Sequence, residues 1–78
     1  GVGAGFVISG NRVMTNAHVV SNARVIILNR EGDPKPYAAR VAMIAHDCDL
    51  ALLEPEDPTF FKGMTPLEFG GIPAIEST

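Results

Sequence analysis

The chain has 78 residues, 46% of them apolar, a formal net charge of −3 and a single cysteine, Cys48. That length suits one small domain over 1–78 or a piece of a larger one, being shorter than the roughly 100–150 residues usual for an independent domain, and folding buries only about 60–65% of its surface. Charges of both signs are interspersed without a basic stripe, no apolar run approaches the roughly 18 residues of a membrane-spanning helix, and one cysteine cannot form an internal disulfide, so nucleic-acid binding, a membrane span and a disulfide scaffold are all excluded.

The opening residues, GVGAGFVIS, lack the charged start and cleavage site of a signal peptide. Short bursts of Val, Ile and Leu follow, separated by Gly, Asn, Pro and Asp too closely for long helices. This is the punctuation of an all-β barrel or sandwich, here with about six strands. The first strand, residues 5–9 (GFVIS), meets the second, 12–16 (RVMTN), through Gly10-Asn11, a pair suited to a two-residue turn at positive φ. The third, 24–29 (RVIILN), is apolar almost throughout, which predicts cover on both faces. Two prolines and a glycine in EGDPKP end it.

Residues 37–45 (YAARVAMIA) and 49–54 (DLALLE) read as strands on either side of His46-Asp47-Cys48, able to pair with each other or with the first hairpin. Asp57-Pro58 followed by Lys62-Gly63 has the grammar of one short helical turn near 58–62: a capping residue, proline at the first helical position, glycine just beyond. A last strand is predicted at 65–70 (TPLEFG), and the residues after it carry no helix or strand signal.

The reactive inventory is His18 in TNAHVV, His46, Cys48 and the pair Asp47/Asp49. A lone histidine is more often structural than functional, and a single cysteine usually behaves as a small hydrophobe. If residues 46–49 are extended, His46 and Cys48 share one face, and with His18 and a carboxylate they could make a tetrahedral zinc shell. The paired CxxC or HxxxH spacing of such sites is absent. A catalytic reading requires His18 to meet a carboxylate across the fold, because a general-base histidine needs one ring nitrogen held so that the other is free to accept. Asp49 fits because it opens the apolar strand DLALL, where a carboxylate is partly withdrawn from water; Asp47 is the fallback.

Taken together, GAGFVISGNRVMTNAHVV and HDCDLALL resemble the amino-terminal half of trypsin-like serine proteases of the Deg/HtrA family. There a GSGF(V/I) hairpin leads into TNxHV with the catalytic histidine, and D(I/L)AL(L/I) begins with the catalytic aspartate. GMTPLEFGGIPAI looks like that family's strand before the crossover to a second barrel. The resemblance implies a six-stranded Greek-key antiparallel barrel, one half of a double barrel, with His18 as general base and Asp49 as the residue that orients it. His46, Asp47 and Cys48 match no catalytic position.

The family's nucleophile motif, GNSGGP, does not occur in the 78 residues, nor does a PDZ domain. Ser9, Ser21 and Ser77 lie in other contexts. The expectation is a serine endopeptidase fragment acting on unfolded or damaged polypeptides, without cofactor or metal, and inactive until a second barrel supplies the serine. The alternative is a non-catalytic β-barrel interaction module that self-associates or binds a partner through the face a second barrel would cover; a metal-binding protein is the third reading. By resemblance alone, the location is a periplasm, cell envelope or organelle.

Overall fold

A computed structural model describes residues 1–63 and 72–78. One antiparallel sheet contains β1 (Val2–Ala4), β2 (Phe6–Ile8), β3 (Arg12–Thr15), β4 (Ile26–Asn29), β5 (Pro36–Ala45), β6 (Leu50–Pro55) and β7 (Ala74–Ser77). Their spatial order is β1-β7-β4-β5-β6-β3-β2. The two ends of that order are consecutive in the chain, so the sheet curls into a nearly closed barrel in which β1 and β2 are one strand bent at Gly5. Counted so, there are six strands among the described residues, and the meander β4-β5-β6 lies between β7 and β3 in Greek-key fashion. Gly5 is buried at the bend and donates its N–H to the Pro73 carbonyl at 3.1 Å.

Alternation along each strand decides what enters the barrel. Val13, Leu28, Leu53 and Ile75 have no exposed surface, and Val7, Ile26 and Ala51 are buried with them. Thr15 also points inward, and its hydroxyl donates to the Ala4 carbonyl at 2.9 Å, so burying it leaves no polar group unpaired. Phe60 plugs one end, edge-on to Tyr37 and Phe61 with both ring centroids 5.1 Å away. Each such pair contributes about 0.5–1.5 kcal/mol beyond area burial.

Several sequence expectations change in detail. The Gly10-Asn11 turn has positive φ at both residues, +84° and +58°. The ladder however pairs Ile8 with Arg12, leaving three residues in the loop instead of two. The third strand is shorter than 24–29 and is not covered on both faces: Ile26 and Leu28 are buried, Ile27 is intermediate and Val25 is half exposed. A single-layer barrel has only one buried face, however apolar the strand. β5 absorbs a bulge between Val41 and Met43 while pairing with β6.

The helical turn is present at Pro58–Phe61, where the Asp57 carboxylate accepts from the Thr59 N–H. A further helical turn, α1 (Ala17–Val20), was not expected, because Val-Val reads as strand. Its stability comes from burial of Ala17, Val19 and Val20 against the barrel. The predicted strand at 65–70 lies outside the described residues. The chain end, read as carrying no strand signal, forms β7, which pairs with both β1 and β4. Among the described residues no helix is long and apolar enough to cross a membrane.

Candidate active site

β3 delivers Thr15 and Asn16 to one rim of the barrel, where the chain turns into α1. The turn carries Ala17 inward and His18 outward, and His18 keeps 72% of its side-chain surface exposed. At the same rim β5 ends, His46–Cys48 makes one 3-10 turn, and Asp49 follows in the left-handed conformation at φ 54°, ψ 45° before β6 begins. Asp49 therefore stands just outside the strand it was expected to open.

The two sequence candidates meet here. Oδ2 of Asp49 lies 2.6 Å from Nδ1 of His18, and its Oδ1 accepts the backbone N–H of His18 at 2.8 Å. One residue thus presents both its N–H and its ring to one carboxylate, which fixes the imidazole's position and rotation together. The backbone N–H of His18, and after it the ring, hold the Asp49 carboxyl below the usual aspartate range, and the Ala17 N–H adds to this. An ionised carboxylate only accepts, so Nδ1 of His18 is the protonated nitrogen of the neutral ring and Nε2 keeps its lone pair. An exposed imidazole whose Nδ1–H is held by a carboxylate can accept a proton at Nε2.

The remaining candidates separate from this pair. His46, Asp47 and Cys48 are all exposed. Because they lie in a 3-10 turn instead of extended chain, His46 and Cys48 do not share a strand face as the zinc reading required. Among the described residues no group of three or more His, Cys, Asp or Glu gathers to hold a metal. Asp47 makes no bond to His18; the carboxylate that does is Asp49.

Two serines are occupied structurally, Ser21 through Oγ to the Ala17 carbonyl at 2.8 Å and buried Ser77 through Oγ to the Val19 carbonyl. Ser9 is in the β2-β3 loop, at the other end of those strands from His18.

One contact escaped the sequence reading. Asn16 Nδ2 donates to the Asp49 backbone oxygen at 3.2 Å, beside the Ala17 N–H, which reaches the same oxygen at 3.0 Å. The signal available was an asparagine directly before His18, a position where its side chain could serve either a local cap or a distant carbonyl.

Residues 3–76 match the family described as trypsin-like peptidase domain. Among curated proteins the chain is similar to protease Do-like 4, mitochondrial, of Arabidopsis thaliana, at 45% identity over 76 residues covering 97% of this chain and 15% of that protein. It is also similar to a serine protease DegP homolog of Plasmodium falciparum, at 38% identity over 74 residues covering 95% of this chain and 8% of that protein. The chain thus spans only a small part of the length of the curated relatives it matches.

Proposed function

Because the chain belongs to the trypsin-like peptidase domain family, on its Deg/HtrA-like side, we propose that it is the histidine-bearing barrel of a serine endopeptidase, with His18 as general base and Asp49 as the residue that orients it. The observation that carries this is the two-point clamp of Asp49 on the N–H and Nδ1 of His18. A carboxylate that merely neutralised a surface histidine would not need to grip its backbone as well.

In this reading Nε2 of His18 takes the proton from a serine hydroxyl as its oxygen attacks a peptide carbonyl. The protonated ring then gives that proton to the leaving amine, and an acyl-enzyme remains. Water, deprotonated by the same Nε2, releases the acid and restores the serine. Asp49 stabilises the imidazolium in both halves without itself taking up a proton. The serine and the oxyanion-hole donors come from a second barrel set against the exposed His18 rim, and the substrates are unfolded or damaged polypeptides. The 78 residues alone supply the base but no activated nucleophile, so they do not hydrolyse peptide bonds.

The test joins this barrel to the second one in a longer chain and follows cleavage of unfolded casein. Cleavage is expected, and His18→Ala is expected to lower it by at least about 10⁴-fold. Cleavage that survives His18→Ala sinks the assignment.

A further inference from the structure

Asn16 occupies the N-cap position of α1 in extended backbone, φ −79° and ψ 141°, yet its side chain makes no capping bond to that helix. Asparagine at this position ordinarily turns its side-chain oxygen onto an N–H of the first turn. Here Nδ2 instead reaches a backbone oxygen 33 residues away, that of Asp49. Asp49 lies in the left-handed region, which aspartate tolerates better than most residues with a Cβ but still adopts less readily than extended backbone. Its backbone is held on both sides: the Asp49 N–H donates to the His46 carbonyl at 3.2 Å, and its carbonyl receives the Ala17 N–H and Asn16 Nδ2.

Relaxing Asp49 to an ordinary extended conformation rotates this carbonyl, breaks both bonds to it and swings the carboxylate off His18. We propose that Asn16 is a positioning residue: by sacrificing its own cap it pins the Asp49 carbonyl, keeps Asp49 left-handed and so aims the carboxylate at Nδ1. The inference rests on the pairing of His18 with Asp49 proposed above and deepens it, since the carboxylate's aim is then set by a side chain two residues before the base. The Ala17 N–H holds the same carbonyl, and Asn16 Nδ2 adds a second donor that restricts its rotation about that bond.

The 78-residue chain is sufficient for the test, read by ¹⁵N NMR of the His18 ring in its neutral form, where the two nitrogen shifts report which one carries the proton. The variants are Asn16→Ser, which can still cap α1 but cannot span to Asp49, and Asp49→Asn as the control for the pair. In the unmodified chain the Nδ1–H tautomer is expected to dominate, and Asp49→Asn to abolish that preference. Asn16→Ser is expected to cut the Nδ1–H to Nε2–H ratio by roughly two- to tenfold, the worth of one ordinary hydrogen bond, with amide dispersion unchanged. A purely structural cap would move stability and leave the tautomer alone. An unchanged ratio in Asn16→Ser, alongside a changed one in Asp49→Asn, overturns the role of Asn16 only; an unchanged ratio in Asp49→Asn overturns the pairing itself and this inference with it.

Discussion

Substituting alanine for Gly5 tests whether the barrel closes as described. A Cβ at Gly5 would stand 2.6 Å from Val13 Cγ1, 2.9 Å from Ile75 Cδ1 and 3.0 Å from the Met14 carbonyl oxygen. Val13 and Ile75 are themselves fully buried, and the third neighbour is backbone paired in the β2-β3 ladder, so none can retreat freely. Overpacking of this kind costs about 1–3 kcal/mol, and a clash on three sides places Gly5→Ala towards the upper limit. A domain of this size has a total stability of roughly 4–12 kcal/mol, so the loss is a large fraction of it.

At about 4–8 °C per kcal/mol the midpoint of thermal unfolding should fall by about 10–20 °C. Gly32→Ala is the matched control: it has positive φ, +76°, but nothing within 4 Å of the added carbon. Only the strain of a left-handed alanine applies there, about 1 kcal/mol. Urea unfolding followed by circular dichroism measures both. If Gly5→Ala costs no more than Gly32→Ala, strands β1 and β2 do not fold over at a packed hinge and the closure is wrong.

Acid should destabilise the fold in a defined window. Asp49 and Asp57 both have carboxyls held below the ordinary range, Asp49 by the N–H and ring of His18 and Asp57 by the hydroxyl and N–H of Thr59. Their contribution is therefore complete above the unfolded value near pH 4 and is lost as pH falls through the depressed folded values. Urea midpoints measured from pH 7 downwards should hold until about pH 5 and then decline; in Asp49→Asn/Asp57→Asn the acid decline should be visibly shallower. Phe60→Ala empties a site with no exposed surface and removes both edge-on ring contacts. It should cost about 3–5 kcal/mol, enough to leave much of the chain unfolded at 37 °C by circular dichroism. His18→Ala, by contrast, removes a mostly exposed ring, and the thermal midpoint should shift by less than with Phe60→Ala.

The sequence by itself determined the elements whose signal is local. Gly10-Asn11 had to turn because both residues tolerate positive φ. Asp57-Pro58 had to start a helical turn because one caps it and the other is pre-shaped for it. Strands β3, β5 and β6 declared themselves by their apolar bursts and the breakers around them. TNAHVV and HDCDLALL, in that order and with the family resemblance they carry, offered His18 and Asp49 as candidates.

What the tertiary structure decided depends on contacts between residues far apart in the chain. Ala74–Ser77 is too short to show a period, and it becomes a strand only because β1 and β4 offer it ladders on both sides. Val19-Val20 favours extended chain by its branched side chains, but burial against the barrel winds it into α1. The left-handed turn at Asp49 is permitted by aspartate's tolerance of that region but not dictated by it. It is held where the His46 carbonyl, the Ala17 N–H and the Asn16 side chain converge on the backbone of this one residue. The two candidate residues were legible as types and order; their mutual aim is set by hydrogen bonds between groups some thirty residues apart in the chain.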